Sequence, residues 1–211
     1  MEEIDLTVLG MSGSGKTCFL LAMYYEMSAG VNGYTLSVRD ADDDYELRSK
    51  WKNLCELQGK ARFPQGTSKN GDYKFNLEYA YQTIREFRWM DYRGGSLEAS
   101  GNNDQDEYDE LFKRIKQSTC LFIFVDGDNL VGNDKDKVVN SVRDNCSSKI
   151  NQFISCYREE NQHLPSIAII LTKFDKFHNQ WQKNDLVDII KKSFSSLFMR
   201  DGDNDNPVAI I

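Results

Sequence analysis

Two periods alternate along the hydrophobic and polar positions of this chain. Residues 4–10, "IDLTVLG", form a short apolar run that predicts a first strand. After a glycine-rich turn, Leu20, Leu21, Tyr24 and Met27 keep helical spacing from Lys16 until Gly30 stops the helix. Between Tyr34 and Gly66, Leu47, Trp51, Leu54 and Gln58 follow another helical stripe, which predicts an inserted helix ahead of "FPQGTS". Tyr73, Phe75, Leu77, Tyr79 and Tyr81 then alternate with Lys74, Asn76, Glu78, Ala80 and Gln82, the pattern of an edge strand with one wet face. "TIREFRWMD" follows almost at once and completes an antiparallel hairpin. "TCLFIFVDGD" and "PSIAIILTKFD" are continuous apolar runs, the mark of parallel strands buried on both faces. Val138, Val142, Cys146, Ile150, Ile154 and Tyr157 step by three or four residues and predict one long covering helix between them. Leu186, Ile189, Ile190, Phe194 and Leu197 predict another, and "NPVAII" reads as a sixth strand. A strand with nothing after it leaves apolar surface uncovered, so the parent polypeptide is expected to continue past Ile211.

Strands alternating with helices over 211 residues make one α/β domain spanning 1–211, with the stretch 34–66 as a helical insertion. No apolar run approaches the roughly 18 residues of a membrane span, and the N-terminus "MEEIDLTVLG" begins with acids rather than a signal peptide. A cytoplasmic protein is expected. The five cysteines are odd in number and form no C-x-x-C pair, which speaks against a disulfide framework or a zinc site. A net charge of −7 disfavours nucleic acid as a partner. The acids concentrate in "RDADDDYE" and "NNDQDEYDE", which read as solvated loops and helix starts.

Chemistry enters at "GMSGSGKT", residues 10–17, which satisfies G-x-x-x-x-G-K-[ST] between a strand and a helix. In such a loop the backbone N–H groups of Ser12, Gly13, Ser14, Gly15, Lys16, Thr17 and Cys18 converge on a phosphate, with the helix dipole behind them. Lys16 would reach the β and γ phosphates and the Thr17 hydroxyl would ligate Mg²⁺. The loop alone also fits nucleotide kinases and transporter ATPases. In "RWMDYRGG", Asp91 closes a strand and is placed to hold magnesium through water, while Gly94 would present its N–H to the γ-phosphate. In "LTKFD", Asp175 can accept from both the ring N–H and the exocyclic amine of guanine, a donor pair that adenine lacks, with Lys173 along the ring face.

"GMSGSGKT", "DYRG" and "TKFD", in this order on these elements, resemble the motif set of Ras-like P-loop GTPases of the translation-factor-related (TRAFAC) class. The resemblance implies a three-layer α/β fold with a mostly parallel six-stranded sheet, one antiparallel edge strand and helices on both faces. It also implies GTP and GDP as substrate and product, Mg²⁺ as cofactor, and Thr172, Lys173 and Asp175 as the base-binding set. The family threonine that closes on Mg²⁺ and the γ-phosphate matches Thr67 by position, and with Thr17 and Asp91 it makes up the metal set. "FPQGT" together with "WMDYRGG" resembles the bacterial double-GTPase group, associated with conflict or defence systems. Two departures stand out: the 211 residues end before the position at which the resemblance implies a serine-alanine loop and a final helix, and the family's water-orienting glutamine is replaced by Gly95.

The reaction implied is slow hydrolysis of GTP by water, with Lys16, Thr67, Gly94 and Arg93 as the catalytic set and Arg62 as a second charge in reach. His163 and His178 read as surface residues. A GTP-dependent switch would engage a protein effector or activating protein and allows a dimer. A noncatalytic GTP-binding scaffold is the competing reading. A P-loop kinase would need an arginine-rich lid and an ABC-type ATPase an L-S-G-G-Q-like signature, and the sequence contains neither.

Overall fold

The structure is a computed structural model that describes residues 3–64, 71–91, 104–160, 164–198 and 208–211. Among these residues seven strands form one sheet: β1 (Ile4–Leu9), β2 (Tyr34–Val38), β3 (Gly71–Tyr79), β4 (Gln82–Asp91), β5 (Cys120–Val125), β6 (Ser166–Leu171) and β7 (Val208–Ile210). Their order is β2-β3-β4-β1-β5-β6-β7. β3 runs antiparallel to both neighbours, while β1, β4, β5, β6 and β7 pair in parallel, with Val8 opposite Asp91 and Leu9 opposite Ile123. Parallel strands point their C-terminal ends at one edge, and there the turns after β1, β5 and β6 meet.

Each strand sends alternate residues to opposite faces. On one face, α1 (Lys16–Ala29) and α2 (Ala41–Glu56) cover Leu6, Val8, Leu36, Phe75, Trp89 and Phe124 with Leu20, Leu21 and Leu47. On the other, α3 (Asp104–Gln117), α4 (Lys135–Val142), α5 (Ser148–Glu160) and α6 (Lys183–Ser193) cover Leu121, Ile123, Val125, Ile167 and Ile169. The three-layer α/β architecture is thus as the sequence implies. Gly30, with φ 99°, ends α1 and returns its N–H to the Met27 carbonyl.

Three details differ from the sequence reading. The sheet has seven strands among the described residues rather than six, because Tyr34–Val38 adds β2 outside β3 in front of α2. β2 therefore takes the edge, and β3 is paired on both sides. Its wet face carries Lys74, Asn76 and Glu78, the last accepting hydrogen bonds from Thr35 and Ser37 at 3.3 and 3.0 Å. Polar alternation reports which face meets water, not whether the backbone edge is paired. The long helix after β5 is interrupted by a π-helical turn at Arg143–Ser147 between α4 and α5. Core positions 138, 142, 146, 150 and 154 step by four, wider than 3.6 residues per turn, and the π turn absorbs the drift that keeps them on one face. The last covering helix breaks at Phe194, after which Ser195–Phe198 form a separate turn, α7.

Candidate nucleotide-binding site

The turn between β1 and α1 is shaped by glycine. Gly10 has φ 153°, and a Cβ there would stand 2.8 Å from Ser14 Oγ and 2.9 Å from Phe124 Cβ, so no side chain fits. Among the described residues, a Cβ on Gly13, φ 76°, would meet nothing within 4 Å. Gly15, φ 88°, caps α1 without a side-chain hydrogen bond, and no acid stands in the first turn of the helix. That helix start is built to receive an anion. Lys16, only 6% exposed, crosses the loop and donates from Nζ to the carbonyls of Gly10 at 2.8 Å and Met11 at 3.1 Å. Those bonds fix a buried positive charge on the loop.

The turn after β6 is fastened to this loop. Thr172 Oγ1 lies 2.8 Å from the Ser14 carbonyl and 3.1 Å from that of Val125, bridging the ends of β5 and β6 to the glycine loop. Lys173 takes left-handed backbone angles, φ 49° and ψ 44°, rare for a residue with a side chain. Its Nζ donates to Asp126 Oδ2 at 2.6 Å and Asp128 Oδ2 at 2.7 Å. Burial pulls the Lys173 ammonium down, but its bonds to the two carboxylates outweigh that and leave its pKa raised. The same bond holds the Asp128 carboxyl below its ordinary range. Asp175 is exposed, and its backbone carbonyl lies 3.2 Å from His178 Nδ1.

Charges from both turns converge on the thiols nearby. Burial raises Cys18, opposed by the positive charges of Arg62 and Lys173. Buried Cys146 is pushed up to about 12, by burial first and then by Asp126, against the pull of Lys16. Arg62 lies over the ring of Phe63, 4.7 Å from its centroid.

Of the residues singled out in the sequence, Ser12, Gly13, Ser14, Gly15, Lys16, Thr17 and Cys18 lie on the glycine loop and the start of α1, joined by Thr172 and Lys173. Asp91 ends β4, directly opposite Val8 of β1. Thr67, Arg93, Gly94, Gly95 and His163 lie outside the described residues. The sequence reading passed over Asp126, Gly127 and Asp128. A Cβ on Gly127 would fall 2.3 Å from the Thr172 carbonyl, so glycine alone admits the contact between the two turns. The signal was an acid-glycine-acid triplet at the end of a buried strand, "FVDGD".

The arrangement offers an anion cradle, an embedded ammonium and, beside them, a turn with an exposed carboxylate. Among the described residues no helix is long and apolar enough to cross a membrane. No curated protein matches the sequence. Among solved structures, the GTPase-like domain of S. cerevisiae Ski7, determined bound to GTP, is similar over 100% of this chain and 42% of that one, with 14% identity and a TM-score of 0.53. This chain therefore spans under half the length of that relative. A protein described as nucleolar GTP-binding protein 1, from Plasmodium falciparum, is similar over 99% of this chain and 75% of its own, with 12% identity and a TM-score of 0.43. Residues 5–203 match the family described as Double-GTPase 2. With the glycine loop on this sheet, the chain belongs to the Double-GTPase 2 family.

Proposed function

We propose that this chain binds GTP with Mg²⁺, hydrolyses it slowly to GDP and phosphate, and uses the change in bound nucleotide as a conformational switch. Residues 1–211 act as one GTPase domain in which the segment 34–66 is an insertion. The observation that carries the reading is the Thr172 hydrogen bond to the Ser14 carbonyl, which seats the base-recognition turn on the phosphate loop. Guanine is selected by Asp175, whose carboxylate accepts from two donors that adenine does not present together. The N–H groups of residues 12–18 receive the phosphates, and Lys16 balances charge on them. Thr17, Thr67 and Asp91 would hold Mg²⁺ directly or through water, and the ion would neutralise charge on the phosphates when bound. Thr67 and Gly94 sense the terminal phosphate, and Arg93 supplies further positive charge.

Gly95 supplies no side chain to orient a water molecule. Unaided turnover is therefore slow, and an arginine supplied by a partner would be worth roughly 10³ to 10⁵ in rate. The same residue favours a second reading, a scaffold that holds GTP without cutting it. Single-turnover phosphate release with and without cell extract separates the two. The binding reading is tested by competition: GTP displaces a fluorescent GDP analogue in Mg²⁺ buffer, ATP competes poorly, and Lys16→Ala abolishes binding. Equal displacement by ATP removes the role of Asp175, and unchanged binding in Lys16→Ala moves the site elsewhere. A place in a bacterial signalling or defence system, with a protein effector, fits the family.

A further inference from the structure

The base-recognition turn is held from the neighbouring strand by groups that the proposed function does not use. β5 leaves the sheet at Val125 and enters Asp126, Gly127 and Asp128. Asp126 works with both oxygens: Oδ1 accepts from the Asp128 N–H at 2.9 Å and closes the turn, while Oδ2 accepts from Lys173 Nζ at 2.6 Å. Asp128 Oδ2 takes the same ammonium at 2.7 Å. The Asp126 side chain is 19% exposed and that of Asp128 55%, so Asp126 is the better shielded partner. Gly127 presses its backbone on the carbonyls of Thr172 and Lys173, where a Cβ would come within 2.3 and 2.9 Å.

We propose that Asp126 and Asp128 are positioning residues for guanine recognition: they hold the Lys173 ammonium on the β5 side, away from Asp175, and so keep the Asp175 carboxylate open to the base. The inference rests on the guanine reading above. Lys173 and Asp175 are two residues apart in one tight turn, and a lysine stem is long and flexible enough to reach a carboxylate at that distance. Two carboxylates on the far side outcompete it. Among the described residues, Asp175 has no ion pair and its side chain no hydrogen bond, while Lys173 is bound twice. The clamp also anchors the tip of a residue whose left-handed backbone would otherwise relax.

The test compares two ligands that differ by one group. GDP and inosine diphosphate share phosphates, ribose and ring, but inosine lacks the exocyclic amine that the Asp175 carboxylate accepts. Their affinity ratio reads the availability of that carboxylate and is blind to general loosening of the phosphate loop. The variant is Asp126→Asn with Asp128→Asn, near-isosteric, with the introduced amide oxygen at position 126 still able to close the turn. Its GDP to inosine diphosphate ratio, measured by calorimetry in Mg²⁺ buffer, should fall about tenfold from the wild-type value, and Asp128→Asn alone should fall less. An unchanged ratio overturns the clamp, whether affinity for both ligands drops or neither does. The wild-type arm tests the parent reading separately: no preference for GDP over either inosine or adenosine diphosphate refutes guanine recognition, and the clamp with it.

Discussion

Gly10 shows how little room the site leaves at the level of one residue. Its missing Cβ accommodates Ser14 Oγ and the Phe124 backbone at once, with the Phe124 carbonyl 3.0 Å from where a methyl would stand. Gly10→Ala must therefore displace β5 or the loop, and overpacking of this kind costs about 1–3 kcal/mol. Urea denaturation should show that loss, with nucleotide affinity falling alongside because Lys16 is braced on the Gly10 carbonyl. At this scale the glycine loop was legible in the sequence, since its spacing is imposed by phosphate geometry on any chain that adopts it. The acids Asp126 and Asp128 were not legible. Nothing in "VDGD" distinguishes a strand-ending turn from one whose side chains reach across to Lys173, because the partner lies 47 residues away from Asp126.

Among the elements, α2 is the one that departs most from a bare alternation of strands and helices. Asp40 caps it by accepting from the Asp42 N–H at 2.8 Å, and Asp42, Asp43 and Asp44 oppose the helix dipole in the first turn. The acidic run of the sequence is thus a helix start, as its composition suggested. Leu47, 1% exposed, fastens α2 to the core, and Trp51 stacks on Tyr25 of α1 at 4.8 Å between centroids. Beside them the Tyr24 hydroxyl donates to Asp44. Burial first, then the bond to and charge of Asp44, push the Tyr24 phenol from 10.0 to about 12. A group whose folded pKa is raised contributes stability that is complete below its ordinary value and is lost as pH rises through the folded one. The urea midpoint should therefore fall from about pH 10 to about pH 12, and Tyr24→Phe should flatten that slope while lowering stability at neutral pH. The helical stripe through Leu47, Trp51 and Leu54 announced α2 because one face alone is apolar. β2 escaped because five residues, "YTLSV", offer only Tyr34, Leu36 and Val38 as an alternation, too few to stand out beside a helix. The π turn escaped for a different reason: a period of four and a period of 3.6 differ by less than one residue over any single turn.

At the scale of the whole molecule the parallel sheet does the organising. β1 stands between β4 and β5, so the ends of β1, β4, β5 and β6 arrive at one edge in an order fixed by the crossovers. The sequence made this architecture readable because both-face burial leaves continuous apolar runs at β5 and β6, whereas strand order had to come from the structure. A ligand that binds only this assembled edge stabilises the entire domain. GDP at 100 times its dissociation constant should raise the unfolding free energy by about 2.7 kcal/mol, and ADP at the same concentration should leave it nearly unchanged. Thermal denaturation with each nucleotide checks both.

The Thr172 bond to the Ser14 carbonyl closes 158 residues of chain. Contacts of such long sequence separation are slow to find during refolding, because loop entropy is spent before they return anything. The edge they complete is thus expected to form after the folding barrier has been crossed. A guanosine ligand should accordingly prolong the native lifetime and leave the rate of refolding where it was, so that the cell would read nucleotide supply partly as the persistence of the protein itself.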